Sequence, residues 1–210
     1  MRRTIGASES SSIYLLGICV GSLLSLFLSL ALRNVSATLD GMSVYSWCGY
    51  AIMQVGFIAT VFVYTRVRKV DVVRVAKIKG KLNPVQIAIL PFIAIATILV
   101  FLPLANAWSA FLGIIGYHGA GVSMPSFSNV GFYFLAIFVM AIMPAIGEEI
   151  FMRGTVFPGL ATRNIWFGVL MSGVFFSLMH ANPVQTVHQF GLGVVLALVV
   201  ALSGSIWASV

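Results

Sequence analysis

The chain has 210 residues, of which 60% are hydrophobic and 8% are charged, and its mean hydropathy is +1.06. This composition excludes a soluble globular domain. The apolar runs are continuous and about 20 residues long, which favours membrane-spanning helices over the short alternating strands of a β-barrel. The net charge of +7 does not indicate nucleic-acid binding, because the basic residues cluster between two apolar runs. We predict a single all-α, polytopic transmembrane helical bundle.

The N-terminal half predicts three spans and one basic loop. The spans are residues 13–32, 44–64 and 84–104. Between the second and third spans, residues 65–83 carry seven Lys and Arg residues against one acid, Asp71. Cytoplasmic loops carry such an excess of positive charge, so we predict that this loop and the N-terminus are cytoplasmic. The loop is either an interfacial helix on anionic lipid, because its apolar residues recur at helical spacing, or a solvated linker.

The C-terminal half predicts an external connection and three further spans. The connection is residues 105–128, of which 108–115 are apolar enough to lie in the membrane interface. The fourth span covers residues 130–160, and a polar break at 162–164 separates it from a fifth span that starts at Ile165 and carries His180. Asn182-Pro183 breaks that helix, and the sixth span covers residues 189–202. Residues 206–210 look like the start of a further span, which we expect to follow.

Two of the five acidic residues, Glu148 and Glu149, lie side by side in the fourth span. A charged side chain at bilayer depth costs roughly 3 kcal/mol, so intramembrane charges are candidates for function. Glu149 and Arg153 are four residues apart and share a helix face, which predicts an ion pair. Glu148 points about 100° away from Glu149, so it is the candidate general base. A purely structural role for these residues is the alternative.

Glu148 and His180 are predicted to lie at the same membrane depth. Each is 16 residues from position 164 in the polar break, or about 24 Å along an antiparallel helix pair. A carboxylate and an imidazole that meet there can hold and deprotonate a water molecule. Phe176 is expected to fix the imidazole by packing, and Pro144 to loosen the fourth span one turn before the acids. Alternatively, His180 is a structural residue of the bundle.

The segments Glu148-Glu149-Ile-Phe-Met-Arg153 and Phe176-Ser-Leu-Met-His180 resemble the first two motifs of the CPBP family, the CAAX-protease and bacteriocin-processing (Abi) proteins. The resemblance covers about residues 133–210 and implies a membrane-embedded endopeptidase. It implies that Glu148 and His180 activate the attacking water, while Glu149 and Arg153 support the site. The family's third motif, His-x-x-x-Asn or His-x-x-x-Asp, has no match in this chain. We expect it on a span after residue 210, so this chain should lack part of its oxyanion stabilisation.

The resemblance implies cleavage of a membrane-associated peptide or protein, with bacteriocin processing or self-immunity as the bacterial roles. We expect an integral protein of a bacterial plasma membrane, with the bilayer and a peptide or membrane-protein substrate as partners and no nucleic acid. No cofactor is expected. If zinc binds, Glu148 and His180 are its candidate ligands, although a catalytic zinc wants about three protein ligands. Two other classes stay open: a proton-coupled transporter, or a non-catalytic immunity or scaffold membrane protein.

Overall fold

The computed structural model describes residues 4–119 and 123–210, and it is an all-α bundle with one minimal hairpin. Arg2 and Arg3, which the predicted cytoplasmic N-terminus includes, lie outside the described residues. In chain order the elements are α1 (Ala7–Ala31), β1 (Thr38–Leu39), β2 (Met42–Ser43), α2 (Val44–Val67), α3 (Val72–Val75), α4 (Pro84–Ile114), α5 (Val130–Ile137), α6 (Met143–Phe151), α7 (Phe157–Leu160), α8 (Ile165–Met179) and α9 (Thr186–Ser203).

Among the described residues, five helices are long and apolar enough to cross a membrane. They are α1, α2, α4, the continuous helix Val130–Leu160 and the helix Pro183–Ser203. The remaining predicted span, α8, is apolar but has 15 residues. At 1.5 Å per residue that is about 22 Å, less than the roughly 30 Å of a bilayer core. The polytopic helical bundle is therefore confirmed, with one span shorter than expected.

Two helix ends differ from the sequence prediction. α4 continues to Ile114, so residues 105–114 are helical rather than part of an external connection. This run is apolar and has no proline after Pro103, so nothing in it stops the helix. At the other boundary, α8 ends at Met179 and His180 caps it instead of lying inside a span. Ala181 adopts a positive φ of 48°, which turns the chain away before Pro183.

The helix Val130–Leu160 is interrupted by two π-helical turns, Phe138–Ile142 and Met152–Val156. A proline follows each turn closely, Pro144 after the first and Pro158 after the second. Proline cannot donate to the carbonyl four residues earlier, and a wider turn accommodates that loss. The expectation that Pro144 loosens this span before the acidic pair is confirmed.

The helix that carries the acidic pair lies at the centre of the bundle. α6 packs against α2, α7 packs against α1 and α8, and α1–α2 and α8–α9 form two further pairs. Small residues permit the pairings: a Cβ at Gly56 would lie 2.9 Å from Gly21 Cα, and one at Gly193 would lie 2.8 Å from Gly173 Cα. Phe151 and neighbours from the central helix fill the main core cluster.

The basic loop folds onto the bundle. Its helical part, α3, is only four residues long, and Val72 and Val75 pack against the main core cluster. Trp207 Nε1 donates a hydrogen bond of 2.7 Å to the Ile78 carbonyl, which ties the loop to the segment after α9. The loop therefore has one short helix rather than an extended interfacial helix, and Val72 and Val75 contact protein whereas Val73 is exposed.

At the opposite end of the bundle, Asp40 in the turn between β1 and β2 holds the segment before α5. Its carboxylate accepts hydrogen bonds from the amides of Phe127 at 2.8 Å and Ser128 at 3.0 Å. Its own carbonyl accepts one from the Ser126 amide at 2.7 Å. These three bonds connect the α1–α2 hairpin to the start of the central helix.

Candidate active site

Glu149 and Arg153 form a buried ion pair. Arg153 Nη1 lies 2.7 Å from Glu149 Oε1, and the two side chains are 0% and 4% exposed respectively. Arg153 Nη2 also donates to the Gly193 carbonyl at 3.2 Å, and the guanidinium lies 4.3 Å from the centroid of the Phe176 ring. The predicted contact is present, and it joins the central helix to α8 and α9.

Glu148 faces a different side of the central helix. Its Oε1 accepts a hydrogen bond of 3.2 Å from Nε2 of Gln54, a residue of α2 that is only 5% exposed. Glycine at position 147 permits this approach, because a Cβ there would lie 2.5 Å from Gln54 Oε1. Gln54 was not among the site residues predicted from the sequence. The available signal was an amide near the middle of an apolar helix of 24 residues.

His180 is oriented by the end of α8. Its main-chain N–H bonds to the Ser177 carbonyl at 3.3 Å, which leaves the Phe176 carbonyl to contact His180 Nδ1 at 2.8 Å. A carbonyl only accepts, so Nδ1 carries the proton in this contact, and a neutral imidazole then presents Nε2 as an acceptor. The ring packs edge-on against Phe176, with centroids 4.9 Å apart. The predicted packing of Phe176 on this imidazole is present.

Glu148 and His180 line the same cavity, which has a volume of about 520 Å³. The remaining wall comes mainly from α2, including Ser46, Gly49 and Tyr50, and from loop residue Ser123. The volume lies within the usual range of ligand sites, about 300–1,000 Å³. The structure therefore brings together the carboxylate and the imidazole that the sequence predicts at one depth.

The side chains at this cavity do not fit a zinc centre of three protein ligands. Within residues 4–119 and 123–210, no group of three or more His, Cys, Asp or Glu side chains could hold a metal ion. Glu148 and His180 supply two donors, and Glu149 is engaged by Arg153. His188 is not a third ligand, because it lines a separate groove between α4 and α9.

Residues 130–210 match the family model described as Rce1-like, type II CAAX prenyl endopeptidase. This part of the chain is similar to the CAAX proteases. No curated protein and no solved structure matches the chain significantly. The matched segment carries both motifs, so the resemblance drawn from them is confirmed, and this similarity implies protease activity in general. Helices α1, α2, α3 and α4 precede the matched segment, although α2 supplies much of the cavity wall.

Proposed function

We propose that this chain is an intramembrane endopeptidase that hydrolyses a peptide bond in a membrane-associated peptide or protein. The observation that supports it is the cavity onto which Glu148 and His180 project from different helices. Glu148 as a carboxylate and His180 through Nε2 are both hydrogen-bond acceptors. A water molecule has two hydrogens to donate, and we propose that one water bridges the two side chains.

In the proposed reaction, Glu148 is the general base and His180 orients the water. Glu148 takes one proton from the water as the water oxygen bonds to the carbonyl carbon of the peptide, while His180 Nε2 accepts a hydrogen bond from the remaining hydrogen. The tetrahedral adduct then collapses, the C–N bond breaks, and the proton on Glu148 passes to the leaving nitrogen. The first products are a carboxylic acid and an amine, and the acid then passes its proton to the amine to give a carboxylate and an ammonium group. A positioned general base contributes about 10²–10⁴-fold to such a step.

Glu149 and Arg153 have positioning roles in this proposal. Arg153 contacts the ring of Phe176, and the carbonyl of Phe176 holds the His180 ring through Nδ1. The ion pair therefore connects the helix that carries the base to the residue that sets the imidazole. Through these contacts Arg153 acts on the geometry of the site without touching the substrate.

The family description suggests the first substrate to try. We propose to use an internally quenched farnesylated CAAX peptide, with the same peptide lacking the farnesyl group as its comparison. Location in a bacterial plasma membrane, a cytoplasmic N-terminus and a role in bacteriocin processing or self-immunity are further parts of the proposal. In either role the proposed substrate is a peptide that lies on or in the membrane.

The test is Glu148→Gln, which keeps the size of the side chain and its contact with Gln54 while removing the base. In liposomes containing the full chain, cleavage should fall by about 10²–10⁴-fold while the melting temperature stays close to that of the parent. Lys79→Gln, in the basic loop, is the control and should cleave normally. Cleavage by the Glu148→Gln protein at the rate of the parent would contradict the proposal. Loss of proton flux into the liposomes, without any cleavage by the parent, would instead indicate a transporter.

We propose that the reaction needs no resident metal, because the described residues that line the cavity include two metal-donor side chains, Glu148 and His180, and not three. Treatment with 1,10-phenanthroline should leave the cleavage rate unchanged. The control is a zinc peptidase treated in the same way, which should lose its activity. A loss of activity that added Zn²⁺ restores would contradict this part of the proposal and would make Glu148 and His180 its first candidate ligands.

A further inference from the structure

One end of the bundle carries most of the charge. Residues 66–81 contain seven Lys and Arg residues and one acid. The N-terminal helix begins at this end, because Glu9 forms an ion pair of 2.9 Å with Arg68. The segment after α9 lies here too, since Ser205 Oγ donates to the Gly80 carbonyl at 2.8 Å. This end, which we call the basic face, is the one that the positive-inside rule assigns to the cytoplasm.

The opposite end, which we call the neutral face, carries almost no charge. Residues 32–43 contain one base, Arg33, and one acid, Asp40, and residues 115–119 and 123–129 contain no Lys, Arg, Asp or Glu. Contacts between loops hold this face together. Asp40 binds the amides of the segment before α5, and Trp108 Nε1 donates to the Pro183 carbonyl at 2.8 Å.

The cavity that contains Glu148 and His180 leads to the neutral face. Its α2 residues fall between positions 46 and 57, within the first 14 of the 24 residues of a helix that begins at this face. Ser123 and Asn182, which complete its rim, lie in the loops of the same face. Gln54, the partner of Glu148, is ten residues after the start of α2, or about 15 Å along the helix. No residue of the 66–81 loop lines this cavity.

We propose that the substrate enters this cavity from the extracytoplasmic side of the membrane, through the neutral face. The inference rests on the proposed function only in taking this cavity as the substrate site. It defines a class of substrate: a peptide segment presented at the outer membrane–water interface that can reach about 15 Å towards the bilayer centre. A secreted peptide or the outer tail of a membrane protein meets this requirement, whereas a tail confined to the cytoplasm does not.

The two faces can be assigned by cysteine labelling. In a background with Cys19→Ala and Cys48→Ala, Ser123→Cys and Lys79→Cys are introduced one at a time, because both positions are exposed, one on each face. A membrane-impermeant maleimide should label Ser123→Cys in intact cells and leave Lys79→Cys unlabelled. In inverted vesicles the two results should exchange. The opposite pattern, with Lys79→Cys labelled in intact cells, would overturn the proposal.

A second variant tests the path into the cavity. Gly49 lines the cavity, and a Cβ at this position has no heavy atom within 4 Å, so Gly49→Cys fits without displacing a neighbour. A small charged methanethiosulfonate should modify it from the side that labels Ser123→Cys. Thr60→Cys, on the same helix and buried at 3% exposure, is the control and should stay unmodified. Modification of Gly49→Cys from the basic face alone, or from neither face, would overturn the proposal.

Labelling needs no cleavage, so the two proposals can fail separately. An inactive chain with the expected labelling pattern would contradict the proposed peptidase and keep the access route. A chain that cleaves the probe through Glu148 but labels from the basic face would contradict the access route and keep the peptidase.

Discussion

Gln54 on α2 donates a hydrogen bond to Glu148 on α6, with 3.2 Å between Nε2 and Oε1. The other amide atom, Oε1, is buried and has no hydrogen-bond partner among the described residues. A buried acceptor left unpaired costs about 1–3 kcal/mol. Gln54 is therefore a poor choice for stability alone, and its contact with the proposed base explains its presence better.

Gln54→Met should lower kcat without weakening the fold. Methionine has a similar length but cannot donate to Glu148, and a hydrogen bond to a charged group is worth about 1.5–3 kcal/mol, or roughly a 10- to 100-fold change in rate. KM should change little, and the melting temperature should hold or rise because the unpaired acceptor is gone. Steady-state cleavage of the farnesylated probe and thermal unfolding of the same preparation measure both effects.

Thr60→Val is the matched control for that substitution. Thr60 is also buried on α2, but its hydroxyl bonds only to the Gly56 carbonyl of its own helix at 2.8 Å. The kcat of Thr60→Val should therefore match that of the parent protein. An equal loss of kcat in both variants would assign the effect to general packing of α2, and an unchanged kcat in Gln54→Met would refute the positioning role.

Removing one member of the buried ion pair should destabilise the protein more than removing both. Arg153→Met leaves Glu149 buried without its partner, which costs about 3–5 kcal/mol in comparable pairs. Glu149→Leu combined with Arg153→Met leaves no buried charge and should recover much of that loss. Unfolding in mixed detergent micelles compares the two proteins. If the double variant is as unstable as Arg153→Met, the hydrogen bond from Arg153 to Gly193 dominates instead.

Filling the cavity at Gly49 should weaken substrate binding. The position lines the cavity and has open space around it, so Gly49→Phe places a ring where the substrate is proposed to lie. We expect KM for the probe to rise about tenfold or more, corresponding to about 1.4 kcal/mol of binding, while the melting temperature stays the same. Gly49→Ala is the size control and should behave like the parent. A normal KM for Gly49→Phe would show that the substrate binds elsewhere.

The segment before α5 that Asp40 holds should loosen in acid. Hydrogen bonds from the Ser128 hydroxyl, and then from the amides of Ser128 and Phe127, hold the pKa of Asp40 below its ordinary value, although desolvation opposes them. A carboxylate with a lowered folded-state pKa adds stability above its unfolded pKa and loses it as pH falls through the folded value. Protection of the Phe127 and Ser128 amides, taken as their exchange rate relative to the intrinsic rate at the same pH, should therefore fall below the normal Asp range.

Asp40→Asn should reproduce the acid effect at neutral pH, because the neutral amide is a weaker acceptor for the same two N–H groups. Asp71→Asn, which alters the cap of α3 at the basic face, is the control and should not change exchange at residues 127 and 128. Slow exchange in Asp40→Asn at neutral pH would mean that the charge of Asp40 does not hold this segment.

The contacts that the sequence could predict are those fixed by helix geometry. Glu149 and Arg153 meet because residues four apart share a face. Glu148 and His180 line one cavity, as expected of two residues that are each the same number of residues from the turn. Gln54 could not be predicted, since a single amide in an apolar helix does not reveal which neighbour it faces. The packing of the basic loop was missed for a related reason: it depends on Trp207, which is 129 residues from Ile78.

The two π-helical turns in the central helix affect the direction in which the Glu148 side chain points. Each holds one residue more than an α-helical turn, and one residue rotates a helix by about 100°. Deleting a single residue within Phe138–Ile142 would hardly alter hydropathy, yet it would swing Glu148 away from Gln54 relative to the outer part of the span. The spacing between Asn129 and Glu148, counted in residues, is therefore as much a determinant of the site as the acid itself.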